Sequence, residues 1–164
     1  MQMHSPSSIA SKSRKFDTPQ QEAYLNLWRT YDRLRILEDS LFQKHGITAQ
    51  QYNALRLLRG NQEAGIQTLD LARKLVSRAP DITRLLDKLE ENGWIGRDRP
   101  KENRRVVLVK ITNAGLKLLK TIDPEVLQCG IQQLGHLSEK DVQLLIKLLK
   151  EARNPHEDPE SIWS

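Results

Sequence analysis

The stretch Arg97-Asp98-Arg99-Pro100-Lys101-Glu102-Asn103-Arg104-Arg105, followed without a break by Val106-Val107-Leu108-Val109-Lys110-Ile111, decides the fold. Five positive residues (Arg97, Arg99, Lys101, Arg104, Arg105) stand there against two negative ones (Asp98, Glu102), a local net charge of +3. The segment 106–111 is rich in β-branched residues, which suit the pleated, half-buried surface of a strand. Trp94 to Arg97 is short and apolar enough to partner it, so the sequence predicts a β-hairpin with a long basic tip at 98–105.

The residues just before the hairpin read as a helix over about 80–92. Ile82, Leu85, Leu86 and Leu89 fall at offsets 0, 3, 4 and 7, one face of a 3.6-residue period, and Asn92-Gly93 supplies the stop. Pro80 suits a first turn, whose N–H groups have no intrahelical partner. Ala79, preceding a proline, is biased away from helical dihedrals. Ser77 and Ala79 both stand as candidate caps. Upstream, Thr68 is expected to cap a short helix with Leu69, Ala72, Leu75 and Val76 inward. The tight turn near 76–79 makes the pair a helix-turn-helix, in which the second helix enters the major groove of DNA and the first crosses the backbone.

Working outward, Thr18-Pro19-Gln20-Gln21 carries a cap, an N1 proline and a capping box, and opens a long helix ending near His45-Gly46. Tyr24, Leu27, Trp28, Tyr31, Leu34, Leu37 and Leu41 recur along it. Thr48-Ala49-Gln50-Gln51 repeats the box before a second helix with Tyr52, Leu55 and Leu58 inward, ending near Gly60. Residues 61–65 form a polar loop. Thr112-Asn113 opens a fifth helix carrying Leu116, Leu119 and Ile122, which Pro124 is expected to kink or interrupt; Val126, Leu127, Ile131 and Leu134 continue the pattern. Ser138 caps a last helix carrying Val142, Leu145, Leu148 and Leu149. Residues 1–16 read as a disordered basic arm, and 154–164, with prolines and acids, as a flexible acidic tail.

The bulk numbers fit a helical DNA-binding domain. The chain has 164 residues, enough to bury a core without staples, and aromatics are only 5%, so Leu and Ile must build that core. The formal net charge of +5 favours an anionic partner. One cysteine excludes an intrachain disulfide and, with no signal-peptide pattern, points to a reducing, cytoplasmic setting. No apolar run approaches the ~20 residues of a membrane helix.

Chemistry-bearing residues cluster in the middle of the chain. Arg84 can read guanine O6 and N7 bidentately, and Thr83 can meet a thymine methyl. Asp81 and Lys88 share the polar surface of that helix, with Ser77, Arg78 and Pro80 at its entrance. Ser77 and Arg78 lie near a helix N-terminus, which favours phosphate oxygens. Arg104 and Arg105 at the tip are candidates for phosphate or minor-groove contact, where arginine meets enhanced negative potential. Arg99, Lys101 and Asn103 complete the candidate surface.

Residues 69–115 resemble the MarR-type winged helix-turn-helix transcription regulators. The resemblance is carried by Leu71-Ala72-Arg73-Lys74-Leu75, by Asp81-Ile82-Thr83-Arg84-Leu85-Leu86-Asp87-Lys88-Leu89-Glu90, by Asn92-Gly93-Trp94-Ile95 and by Asn103 through Gly115. It implies a mainly α fold with a small β-hairpin wing, a winged helix-turn-helix at about 48–111, and dimerisation helices at about 19–45 and 112–152. It implies a homodimer on double-stranded palindromic operator DNA, often a repressor, released by a small aromatic effector or by cysteine oxidation. The family's wing arginine corresponds to Arg105. Two residues before it the family carries Asp; here Asn103 stands, which accepts a hydrogen bond but brings no charge, and Asp98 is close enough in sequence to substitute.

Other sites are sparse. Tyr24, Trp28 and Tyr31 share a helical face and could line an effector pocket, although such a stripe is more often core or interface. Cys129 has no basic residue near it in sequence and reads as a structural cysteine. The four histidines are scattered, and neither a metal-ligand spacing nor a catalytic or cofactor motif stands out. The alternative to a DNA-binding regulator is a winged-helix module that binds another protein and no DNA.

Overall fold

The computed structural model describes residues 16–76, 81–100, 106–158 and 162–163. The chain falls into two compact units, residues 1–35 and 36–164, with one helix running through the boundary. That helix, α1 (Pro19–Lys44), starts where the sequence places it: Thr18 Oγ1 accepts from Gln21 N at 3.1 Å. Gln21 closes the reciprocal bond one residue earlier than a standard box, on Asp17 N at 2.9 Å. In the first unit Tyr24, Leu27, Trp28 and Tyr31 lie exposed along α1, and the Tyr24 and Trp28 ring centroids are 6.4 Å apart.

The second unit contains the end of α1 and the elements α2 (Ala49–Arg59), β1 (Ile66–Gln67), α3 (Thr68–Lys74), α4 (Ile82–Glu91), β2 (Ile95–Asp98), β3 (Leu108–Ile111), α5 (Asn113–Leu134) and α6 (Glu139–Arg153), followed by a 3-10 turn at Asn154–His156. The Thr48–Gln51 capping box of α2 is complete on both sides. One apolar core joins the elements from the end of α1 to α5, with Leu55, Leu58, Leu71, Leu86, Leu89, Val109, Leu119 and Ile122 fully buried, and α6 contributes no buried residue to it. Burial of that leucine and isoleucine surface is the main force holding the unit together.

The hairpin is one part of a three-stranded antiparallel sheet in the order β1-β3-β2. The two-residue β1, with Ile66 opposite Val109, has no counterpart in the sequence reading because two residues carry no detectable alternation. β2 pairs Ile95 with Ile111 and Arg97 with Val109. β2 has the expected length but is shifted by one residue, since Trp94 belongs to the turn that ends α4 and Asp98 extends the strand; β3 is shorter than expected, with Val106 and Val107 preceding it.

Four further expectations are corrected or narrowed. In α3 the inward residues are Leu71 and Leu75, whereas Leu69 and Val76 are exposed; Thr68 is the first helical residue and not the cap. The cap of α4 is Asp81, and the helix is Ile82–Glu91; the expected candidates Ser77 and Ala79, and Pro80 with them, fall outside the described residues. Of the two outcomes expected at Pro124, a kink or an interruption, the interruption is absent: α5 runs unbroken from Asn113 to Leu134, and Pro124 is exposed, so the carbonyl it leaves unpaired can face solvent. The tail does not simply fray after α6: Arg153 pairs with Glu157 at 2.9 Å and donates to the Trp163 carbonyl at 3.0 Å. The basic arm falls almost entirely on residues 1–15, outside the described residues.

Candidate nucleic-acid interface

Asp81 Oδ1 accepts from Arg84 N at 2.9 Å, satisfying one of the unpaired N–H groups at the start of α4 and setting its negative charge against the positive end of the helix dipole. An anion approaching this N-terminus therefore meets a carboxylate already in place. Asp81, a candidate DNA contact by sequence, has a capping role in the structure.

The end of α4 is a Schellman motif. Gly93 adopts φ +72°, Gly93 N donates to Glu90 O at 2.8 Å and Trp94 N to Leu89 O at 3.0 Å. This left-handed residue turns the chain directly into β2. Thr112 closes the other side of the hairpin: its Oγ1 donates to Gly93 O at 2.7 Å and accepts from Gly115 N at 3.1 Å. The wing is thus anchored at its base to both α4 and α5.

Between its caps α4 has three faces. Leu85, Leu86 and Leu89 are buried, with Ile82 packed at the core's edge. Arg84 and Lys88, one turn apart, are exposed on the outer face, where Lys88 pairs with Glu91 at 2.7 Å. An exposed pair of this kind is worth only about 0–1 kcal/mol, so it does not hold Lys88 back from a phosphate. The third face carries Thr83, Asp87 and Glu90 and looks toward the wing.

Arg97 meets that third face. Its guanidinium lies 2.7 Å from Asp87 Oδ1 and 3.2 Å from Glu90 Oε2, and the side chain is only 26% exposed. One of the five positive charges counted in the basic stretch is therefore spent inside the protein. Arg99, just beyond β2, is exposed. A cleft of about 370 Å³ between α3, α4 and the wing is lined by Thr83, Arg97, Arg99 and Val107 among others. Ser77, Arg78, Pro80, Lys101, Asn103, Arg104 and Arg105 lie outside the described residues, as does the Asn103–Asp98 question at the wing tip.

Four positioning contacts had no sequence signal. Asn53 Oδ1 on α2 accepts from Val76 N at 3.0 Å, fixing the chain where it leaves α3 for the turn. Tyr52 and Arg59 of α2 both reach Asp123 of α5, and His45 Nε2 lies 2.9 Å from Glu125 Oε1. The three contacts to α5 each link residues more than sixty positions apart, a separation no local pattern reveals.

Among the described residues, no group of three or more His, Cys, Asp or Glu is arranged to hold a metal ion, and no helix is long and apolar enough to cross a membrane. Cys129 is buried; burial, and then the nearby Glu38 charge, push its thiol above the ordinary value. That environment opposes the thiolate on which redox sensing depends. Tyr24, Trp28 and Tyr31, expected by their spacing to share a helical face as pocket, core or interface, are exposed along α1.

Comparison with known proteins agrees with this geometry. The sequence model of the MarR family matches residues 47–107, from the α2 cap to the foot of β3. The transcriptional repressor MprA of Escherichia coli (strain K12) is 30% identical over 152 residues, 89% of this chain and 86% of MprA. A MarR transcription factor from Planctomyces limnophilus is 50% identical, with a TM-score of 0.65 over 83% of this chain and 98% of that one. Sco3205 of Streptomyces coelicolor, a MarR family regulator solved in complex with DNA, shares the fold at 17% identity, with a TM-score of 0.78 over 93% of this chain and 98% of its own. The helix-turn-helix, the wing and the relatives converge: the chain belongs to the MarR family and is a DNA-binding transcription regulator.

Proposed function

We propose that the protein is a cytoplasmic homodimeric repressor that holds a palindromic operator and releases it when a small aromatic effector binds. The observation that carries DNA recognition to particular residues is the outer face of α4. Arg84 and Lys88 stand exposed there, beside exposed Arg99 at the wing, on a helix whose opposite side is sealed into the core. In this reading Arg84 and Thr83 reach base edges, Lys88 and Arg99 meet the backbone, and the wing residues Lys101, Asn103, Arg104 and Arg105 extend the contact, with Ser77, Arg78 and Pro80 at the helix entrance.

Dimerisation is supported by α6. This 15-residue helix has no buried residue, and Leu144, Ile146 and Leu148 are 40–52% exposed. Apolar surface concentrated in this way marks an interaction face. Two recognition helices on a two-fold axis then demand half-sites about one helical turn apart. Repression is supported by the similarity to MprA. An effector is supported by an open groove of about 660 Å³ between α2, α5 and α6, with apolar walls from Leu127, Ile131 and Val142 and polar groups from Tyr52, Arg56 and Asp123. Its size and mixed lining fit a small-molecule site.

Selection of genomic fragments bound by the purified protein, followed by sequencing, tests the reading. The expected result is an inverted repeat with half-sites one turn apart, bound by a particle of dimer mass and released by one of a panel of small phenols and aromatic carboxylates. Affinity should fall steeply with salt, and Arg104→Ala/Arg105→Ala should make that fall shallower by releasing fewer counterions. An unchanged slope in the double variant defeats the wing assignment; a monomer on a single half-site defeats the dimer.

A further inference from the structure

DNA-binding surfaces are ordinarily read by counting their arginines, and Arg97 opens the most basic stretch of this chain. The structure points elsewhere. Arg97 follows Ile95 by two residues on β2, so both side chains leave the same side of the sheet, and Ile95 is buried in the core. Opposite Arg97 across the ladder is Val109, which is completely buried. The sheet therefore turns Arg97 inward, toward α4 and away from the outer surface of the wing.

There it meets three groups on successive turns of α4. Nη2 is 2.7 Å from Asp87 Oδ1, Nη1 is 3.2 Å from Glu90 Oε2, and Nη2 is 3.5 Å from the Thr83 carbonyl oxygen. A planar guanidinium engaging two carboxylates of one helix fixes direction as well as distance, which a single lysine ammonium does not. The hydrophobic face of α4 fixes its depth in the core, and the Schellman turn and Thr112 tie its C-terminal end to the base of the wing. The Arg97 fork adds a polar tie between β2 and the wing-facing side of the helix.

We infer that Arg97 is a positioning residue for DNA binding: it locks the first wing strand to the recognition helix, so that helix and wing meet the duplex as one rigid body. It spends its charge on the carboxylates of α4 and none on phosphate. Asp87 and Glu90 are then parts of the binding machinery, although each adds negative charge to a helix that approaches a polyanion.

The sign of that last consequence makes the test decisive. A labelled duplex selected from a randomised pool by the wild-type protein is titrated with four proteins at a series of salt concentrations: wild type, Arg97→Ala, Arg97→Lys and Asp87→Ala/Glu90→Ala. Coupling through a packed network of this kind commonly amounts to a change of roughly three- to thirty-fold in affinity. Arg97→Ala is expected to weaken binding in that range with the salt slope unchanged, whereas a lost phosphate contact would lower the slope by about one. Arg97→Lys, which keeps the charge and can hold one carboxylate, should recover part of the loss. Asp87→Ala/Glu90→Ala removes two negative charges and on electrostatics alone should tighten binding; the positioning role requires it to weaken. Alanine is a strong helix former, so the double variant is expected to fold and decides the matter even if Arg97→Ala does not. A slope lowered by about one in Arg97→Ala, or a double variant that binds as tightly as wild type or more so, overturns the inference.

Discussion

Tyr52 of α2 donates its phenolic hydrogen to Oδ1 of Asp123 on α5 over 2.8 Å, while Arg59, two turns further along α2, holds the other carboxylate oxygen. This is a cross-link between the first helix of the winged domain and the long helix that leaves it. Burial, followed by the bond to Asp123 and its charge, pushes the Tyr52 phenol up to about 12. Burial alone would raise the Asp123 carboxyl, but the bonds from Arg59 and Tyr52 outweigh it and leave the group below its ordinary value.

The signs give a first prediction. Asp123 binds its proton less tightly folded than unfolded, so its stabilisation is present above the ordinary carboxylate pKa and is lost as pH falls through the lowered value. Asp123→Asn should cost about 1–2 kcal/mol at neutral pH and flatten the acid side of the stability profile, measured by denaturant unfolding across pH. Tyr52 behaves oppositely: its contribution is full below the ordinary phenol value and disappears as pH rises through about 12. Near-ultraviolet phenolate absorbance should show a late step that Tyr52→Phe removes and Asp123→Asn moves to lower pH.

A second prediction concerns Gly115, in the first turn of α5. A Cβ built there would collide with the Trp94 carbonyl oxygen and approach Ile111 Cγ1 to 2.7 Å. The carbonyl cannot retreat, because it accepts from Thr112 N at 3.0 Å at the base of the wing. Gly115→Ala should destabilise the fold by about 1–3 kcal/mol, as overpacking does, despite alanine's better helix propensity. Thermal unfolding checks it; a melting temperature equal to wild type contradicts the close approach.

A third separates the two consequences of Asp81. Asp81→Ala should lower stability by about 1 kcal/mol through the lost cap, while Asp81→Ser keeps a capping oxygen and should stay within a few tenths of wild type. Both remove a negative charge beside the DNA-facing side of α4, so both should bind nonspecific duplex DNA more tightly at low salt. A serine variant that loses DNA affinity while remaining stable would show that the carboxylate itself takes part in recognition.

The fourth is chemical. Cys129 is 5% exposed, and its thiol is pushed up by burial and by Glu38. A native protein treated with iodoacetamide should remain unmodified over times that fully alkylate the denatured chain, and mild peroxide should leave DNA binding unchanged. Rapid native alkylation would reopen a redox role.

Much of the fold was legible because its signals are local. The Thr48–Gln51 box, the α4 leucine face, the Gly46 and Gly93 stops and the Thr112 cap each depend on residues within a turn or two of one another, and each is found as read. The α3 face was misread because a seven-residue helix gives too few turns to phase Leu69, Leu71 and Leu75 against one another. At the interface, Arg84 and Lys88 fall on the outer face that their spacing predicts. Asp81 and Arg97 carry the same charges a sequence count gives them but take up intramolecular roles.

By itself, then, the sequence determined the order of helices and hairpin, the resemblance to MarR-type regulators and the concentration of positive charge beside the recognition helix. These follow from periodicity, caps and composition, which are properties of neighbouring residues. Only the tertiary structure decided how that charge is used. Whether an arginine meets a phosphate or a carboxylate depends on which side of a sheet it leaves and which helix lies beneath. The antiparallel register that turns Arg97 inward onto Asp87 and Glu90 is fixed by the burial of Ile95, Val109 and Ile111, residues brought together only when the chain folds.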